Sequence, residues 1–138
     1  MKNYLCFLMT SLLLVGSALK AADGDQTKDT KWCTVTYSKN AKVGDEVNVA
    51  VKIKEGAIKR SSKLRIDMHW FEGKTRKFGG PRSGLLDVKP HEAQAFSHDF
   101  VIPNKPNLKG VSFVVYVGPT GGWKDKTYAT EVVTRPEG

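Results

Sequence analysis

Three histidines and two cysteines are the side chains of this 138-residue chain best suited to catalysis: His69, His91, His98, Cys6 and Cys33. None of them stands in a motif of the His-Glu-x-x-His or Gly-x-Ser-x-Gly kind. A reactive thiolate needs access to solvent and a positive setting, whereas the alternating pattern around Cys33 places its side chain on the core face of a strand. We therefore predict no catalytic residue and a buried thiol at Cys33, with an intermolecular disulfide as its alternative role.

Metal binding is the second chemistry to consider. Blue-copper proteins bind their metal with two histidines, a cysteine and a methionine, three of them clustered in a loop late in the chain. The corresponding late loop here, residues 118–126, contains no such ligand. Asp67 and His69 lie two residues apart and could weakly hold a divalent ion, but a solvated strand face is the simpler interpretation. We predict no metal and no cofactor.

Positive charge is concentrated in one part of the chain. Between Lys52 and Ser83 there are ten basic and three acidic residues, whereas the rest of the chain after residue 22 has ten basic and eleven acidic residues. A field of this sign favours a polyanion as the partner. A strand of about seven residues would hold the basic clusters at 59–63 and 74–77 about 23 Å apart, so a scattered, solubilising surface is the alternative.

Trp123 is the other residue whose setting indicates binding. It follows a Gly-Pro-Thr-Gly-Gly sequence and precedes Lys124, Asp125 and Lys126. A tryptophan in a glycine-rich loop is expected to be exposed, and an exposed tryptophan indicates a binding role. Stacking on a sugar ring is one such role. The alternative is that Trp123 folds back over the end of the domain as a lid.

The N-terminus has the layout of an export signal. A short basic start is followed by an apolar run from Leu5 to Val15 and then by small residues, which predicts a signal peptide over residues 1–22. The apolar run is shorter than the roughly 20 residues that span a membrane. We expect a secreted or periplasmic protein without a membrane span, with a flexible leader at 23–31 and one domain at 32–138.

The sequence of the domain predicts a series of β-strands. Residues 47–53 alternate Val, Val, Val and Ile with polar or small residues, which is typical of a half-buried strand. No segment shows sustained helical spacing, and the short connections favour antiparallel pairing. The sequence therefore predicts an all-β, antiparallel β-sandwich of about seven strands. Their ranges are 32–37, 47–53, 64–71, 85–88, 95–102, 111–117 and 127–134.

Three stretches resemble a known superfamily. The sequence from Gly44 to Val51 resembles the second strand of immunoglobulin-like and fibronectin type III-like sandwiches, Trp70 resembles their inward tryptophan, and Val88 to Pro103 resembles their fifth-strand region. The resemblance implies a seven-stranded immunoglobulin-like fold, which serves many functions. The antibody-type disulfide is replaced here by Val49 and Val115.

In that layout, the loops at 55–63, 89–92 and 118–126 share one end of the domain. We call the candidate ligand-binding residues there the basic aromatic rim, consisting of Lys59, Arg60, Lys63, His91, Trp123 and Lys124. The predicted function is an exported, non-enzymatic binding or interaction module. Its partner is expected to be an acidic polysaccharide or another exported protein, and not nucleic acid.

The sequence allows two alternative functions. The first is a structural or accessory subunit that docks on another exported or envelope protein through a strand edge or through the outward face around Phe71. The second is a metal-binding or thiol enzyme built on Cys33 and the histidines. An exposed Trp123 would favour glycan binding, and an exposed, flat face around Phe71 would favour a protein partner.

Overall fold

A computed structural model describes residues 25–137 of the protein. This part of the chain forms ten β-strands. The all-β prediction is confirmed, and three strands are added to the seven predicted. The predicted signal peptide at 1–22 lies outside the described residues. Within those residues no helix is long and apolar enough to cross a membrane. The strands are β1 (Asp25–Asp29), β2 (Cys33–Ser38), β3 (Asn40–Ala41), β4 (Glu46–Ile53), β5 (Ser62–Glu72), β6 (Thr75–Lys77), β7 (Leu86–Val88), β8 (Gln94–Val101), β9 (Leu108–Gly118) and β10 (Tyr128–Pro136).

The strands form two sheets. One has four strands in the order β1-β2-β4-β8, and the other has six, with β3-β10-β9-β5-β6 in order and β7 paired to the start of β5. The pairing of β3 with β10 is parallel, and the other pairings are antiparallel. This arrangement is compatible with a β-sandwich.

The core lies between the sheets, where the alternating pattern directs apolar side chains inward. On β4, Val47, Val49, Val51 and Ile53 are buried and the residues between them are not. β9 lies between β10 and β5 and is buried on both faces from residue 110 to residue 118, as its apolar sequence predicts. Each fully buried side chain of this kind contributes about 1.5–3 kcal/mol relative to its exposed state.

The expected flexible leader contains a strand instead. Within residues 23–31, β1 pairs with β2 from Asp25 opposite Ser38 to Asp29 opposite Thr34. Its polar composition suits an edge strand that is mostly exposed. The other two added strands, β3 and β6, are only two and three residues long and lie between predicted strands.

The buried core tryptophan is Trp32, and not Trp70 as predicted. Trp70 lies on the inward face of β5 but is only partly buried, with the Lys105 ammonium 4.5 Å from its ring. Trp32 is 6% exposed, stacks on Tyr128 at 5.5 Å and donates a hydrogen bond of 3.0 Å to Thr130 Oγ1. Trp70 stands near the end of β5, where the cover of the opposite sheet is incomplete.

Candidate functional site

The loop between β4 and β5 and the turn between β7 and β8 are joined by backbone hydrogen bonds. The Gly56 N–H donates to the His91 carbonyl at 2.8 Å, and the His91 N–H donates to the Ile58 carbonyl at 2.7 Å. His91 has a φ of 67°, a left-handed conformation that a turn can require. The Gln94 side chain closes the turn, since it bonds both the N–H and the carbonyl of Lys89 at 2.8 Å. These bonds hold the two segments together.

The loop between β9 and β10 is held against the same end of the domain. A side chain at Gly121 would lie 2.7 Å from the Leu85 methyl group and 3.1 Å from Lys63 Cβ, so only glycine lets the loop approach so closely. The Tyr128 hydroxyl donates to the Ala57 carbonyl at 3.4 Å, which links the start of β10 to the β4–β5 loop. The three segments predicted to share one end therefore do meet there.

Trp123 projects from this loop into solvent. Its side chain is 57% exposed, so the alternative in which it folds back as a lid is wrong. The ammonium groups of Lys124 and Lys126 each lie 5.8 Å from its ring centroid, and Lys126 Nζ also donates to the Trp123 carbonyl at 2.9 Å. The neighbouring Leu85 is 56% exposed. The loop thus presents an apolar surface flanked by two positive charges.

The remaining residues of the basic aromatic rim differ in whether their charge is paired with a carboxylate. Lys59 and Arg60 are exposed in the β4–β5 loop, and His91 is exposed in the turn bonded to that loop. Lys63 forms an ion pair with Asp87, which neutralises much of its charge. A shallow cleft of about 270 Å³ opens beside this pair.

A second polar cluster, which we call the sheet-face network, lies on the outer face of β5. Asp67 and His69, expected on a solvated face, are 5% and 7% exposed. The segment at 78–83 pairs with the edge of β5, where the Pro81 carbonyl accepts from the Met68 N–H at 3.1 Å, and it brings the Phe78 side chain over His69. Arg65 binds the Asp67 carboxylate through two hydrogen bonds of 2.6 and 2.8 Å.

Arg76 links the other half of the sheet-face network. Its guanidinium lies 3.2 Å from His69 Nδ1 and donates to the Glu131 carboxylate at 2.5 Å, which Ser112 Oγ also contacts. Burial works to raise the pKa of Glu131, but the hydrogen bonds from Ser112 and Arg76 outweigh it and lower that pKa. The Phe78 ring packs edge-on against His69 at 4.7 Å. The sequence offers one local sign of this network, which is the charged or titratable residue at every second position of β5: Arg65, Asp67 and His69.

His69 makes the stability of the fold depend on pH. Burial, followed by the nearby Arg76 guanidinium, lowers the pKa of His69 below its ordinary value of 6.5. The folded state therefore resists protonation of His69, and its contribution to stability is complete above about pH 6.5 and is lost as the pH falls through the lowered pKa. We expect the free energy of unfolding to fall between about pH 7 and about pH 5. It should fall less steeply in His69→Gln.

Urea unfolding followed by tryptophan fluorescence at the two pH values measures this difference. Asp67, Glu131, Arg76 and Arg82 also face His69, and they are unchanged in the variant. The matched control is His91→Gln, because His91 is exposed. A slope that is the same in wild type and His69→Gln would show that other groups carry the pH dependence.

Cys33 is buried at 0% exposure, as predicted. Burial raises the pKa of its thiol, and its Sγ lies 3.8 Å from Thr130 Oγ1. A thiol in this position is protonated at neutral pH and does not reach the surface, so it is unsuited to nucleophilic attack or to an interchain disulfide.

The part of the chain from 25 to 137 contains no group of three or more His, Cys, Asp or Glu side chains arranged to hold a metal ion. The chain was also compared with known proteins. No protein-family model matches it, and no curated protein matches its sequence.

Proposed function

We propose that the protein is an exported, non-enzymatic binding module whose basic aromatic rim takes an acidic glycan. The observation that carries this proposal is the setting of Trp123, which is 57% exposed between two lysine ammonium groups in a braced loop. An exposed aromatic side chain offers a docking surface when charged groups that suit the ligand lie beside it. The positive charges beside it select the sign of that molecule.

The chemistry of the rim suits a sugar that carries a carboxylate or sulfate group. The face of the indole offers a flat apolar surface to the C–H groups of a pyranose ring. A sugar stacked there would have its anionic substituent close to Lys124 and Lys126, since both ammonium groups lie 5.8 Å from the ring centroid. Arg60, exposed in the adjoining loop, can bind a carboxylate or sulfate through two parallel hydrogen bonds.

The finer architecture that we propose is immunoglobulin-like. Two features support it: the parallel pairing of a short strand after β2 with the final strand, and the grouping of β2, β4 and β8 in one sheet against β10, β9 and β5 in the other. In such sandwiches, binding loops are clustered at one end of the two sheets. The three segments of the basic aromatic rim are grouped in the same way.

The two competing function classes have less support. A thiol enzyme would need an accessible thiolate, whereas Cys33 is buried and the pKa of its thiol is raised. A protein partner on the outward face of β5 would need a free Phe71, whereas that ring is half-buried beneath the Arg76 guanidinium at 4.9 Å. Neither feature offers a ready surface.

The test is a titration of the protein with a polyuronate, a sulfated polysaccharide and a neutral glucan. We expect a saturable change in tryptophan fluorescence with the two acidic polymers, weakened by added salt because the charges are screened. Calorimetry should show that Trp123→Ala weakens binding about tenfold, which corresponds to about 1.4 kcal/mol of stacking. Calorimetry is needed because this variant also loses the reporting side chain.

The matched control is Phe78→Ala, which removes an aromatic side chain that is 65% exposed on a different face of the domain. Its affinity for the acidic polymers should equal that of wild type. If no acidic polymer binds, or if the two variants lose the same affinity, the glycan proposal fails. The accessory-subunit alternative would then be pursued by pull-down from the exporting host.

A further inference from the structure

β8 forms one edge of the four-stranded sheet, and its sole strand partner among residues 25–137 is β4. Beyond its end, the Ile102 N–H donates to the Asp45 carbonyl and the Ile102 carbonyl accepts from the Gly44 N–H, both at 2.9 Å. This is the bonding of a β-bulge with glycine in the left-handed conformation, since Gly44 has a φ of 91°. It fixes Ile102 as a residue whose backbone groups point toward β4.

The direction of every other backbone group on β8 follows by alternation. In an antiparallel ladder, successive residues point their N–H and C=O groups alternately toward one neighbour and the other. Phe96, His98 and Phe100, which share the parity of Ile102, therefore bond to β4. The groups of the intervening residues point away from the sheet, and these residues are Ala95, Ser97, Asp99 and Val101. The free edge thus offers a complete row of donors and acceptors.

This edge lacks the protection that the other edges have. β1 is only five residues long and directs Lys28 inward, where its ammonium reaches the Glu131 carbonyl at 2.9 Å. β3, β6 and β7 are two or three residues long. β8 has eight residues with no proline and no lysine. A long edge without lysine or proline is a template for pairing with another strand.

We infer that the occupant of this edge is β8 of a second copy of the chain, which pairs antiparallel and joins two four-stranded sheets into one. A two-fold axis at His98 places Ser97 opposite Asp99 of the second copy, and Ala95 opposite its Val101. A hydroxyl then faces a carboxylate and an apolar residue faces an apolar residue. These four residues are the ones whose backbone groups point outward, so the register uses the whole free edge.

The side chains beside the edge fit the same register. On the inner face it places Phe96 opposite Phe100 of the second copy, and aromatic pairs of this kind stabilise antiparallel strands. Phe96 and His98 are half-buried, unlike the fully buried Phe100 that His98 packs against at 4.7 Å. A second copy would cover both. Asp99 already accepts a hydrogen bond of 2.8 Å from Asn48, but its carboxylate has further acceptor capacity.

Pairing through β8 would make the protein bivalent. The basic aromatic rim adjoins the start of β8, because the His91 turn directly precedes it. Antiparallel pairing therefore turns the rims of the two copies to opposite ends of the joined sheet. Two sites on one particle raise the apparent affinity for a repeating polymer without any new contact. This consequence rests on the proposed function, whereas the pairing itself does not.

Sedimentation of the protein, purified after expression of the full chain, tests the pairing. We expect a dimer for wild type, a dimer for Ser97→Ala and a monomer for Ser97→Pro. Proline at 97 removes an N–H that points away from β4 and leaves the ladder intact, as edge prolines do. It also favours the extended conformation that Phe96 already has. A monomeric wild type, or a dimer that Ser97→Pro leaves unchanged, would overturn the inference.

A crosslinking experiment tests the register and does not depend on the proline variant. In the proposed register, His98 lies opposite His98 of the second copy in a non-hydrogen-bonded pair. The Cα atoms of such a pair lie about 4.5 Å apart, within the range that a disulfide spans. His98→Cys should therefore oxidise to a covalent dimer. Thr27→Cys, exposed on the edge strand β1, should remain monomeric on a non-reducing gel. Equal crosslinking of the two variants would reject the β8 register, whatever the outcome of the glycan titration.

Discussion

Replacing Phe113 by alanine is expected to lower the free energy of unfolding by about 3–5 kcal/mol. Phe113 is at 0% exposure on β9, and its ring centroid lies 4.9 Å from that of Phe100 on β8. The pair therefore joins the central strand of one sheet to the edge strand β8 of the other. Alanine would leave a cavity between strands whose ladders prevent them from closing on it, so both the lost burial and the cavity count against the folded state.

Urea unfolding followed by tryptophan fluorescence measures this loss. The matched control is Val43→Ala, because Val43 is 45% exposed in the turn between β3 and β4. A surface substitution of that kind changes stability by less than about 0.5 kcal/mol. A loss below about 1 kcal/mol for Phe113→Ala would contradict the close packing of the two sheets on this pair.

The strands that the sequence predicts well are those whose side chains record a difference in burial. β4 and β8 alternate because their two faces have different surroundings, and β9 is mostly apolar from Val111 to Val117 because both of its faces are buried there. In each case the period of the side chains records the burial directly. The position of the basic aromatic rim followed from the same strands, because their order brings three loops to one end.

The features that the sequence did not predict depend on contacts between distant parts of the chain. The polar composition of β1 is equally suited to an edge strand and to a flexible leader, and only its pairing with β2 distinguishes them. Asp67 and His69 are buried because side chains from other segments lie over them, including Phe78 from the segment paired to the edge of β5 and Arg76 from β6. A polar residue on an outward strand face carries no local sign of such a cover.

Reversing two charges on the basic aromatic rim is expected to weaken binding of an acidic polysaccharide about a hundredfold, which corresponds to about 2.7 kcal/mol. The variant is Arg60→Glu with Lys124→Glu. Lys124 lies 5.8 Å from the Trp123 ring, and Arg60 is exposed in the loop beside it. Each substitution removes an attraction and introduces a repulsion of the same ligand group. Lys63→Ala should have a smaller effect than Arg60→Ala, because Lys63 is already paired with Asp87.

The matched control changes the charge by the same amount at the other end of β5. Lys74→Glu with Lys77→Glu alters two exposed lysines. Lys74 follows the end of β5, and Lys77 lies opposite Trp70, seven residues along β5 from Lys63. At about 3.3 Å per residue both lie about 23 Å or more from the rim, nearly three times the Debye length of about 8 Å at physiological ionic strength. Its binding, measured by calorimetry at that ionic strength, should stay within about twofold of wild type.

The comparison of these two variants separates a binding site from a merely basic surface. A polyanion attracted by net charge alone would respond equally to both, since both lower the formal charge of +8 by the same amount. A polyanion that stacks on Trp123 would respond only where the charges adjoin that ring, because screened charges act over short distances. Equal losses would therefore mean that the excess positive charge is a scattered, solubilising surface, and they would remove the ground for a site at this end of the domain.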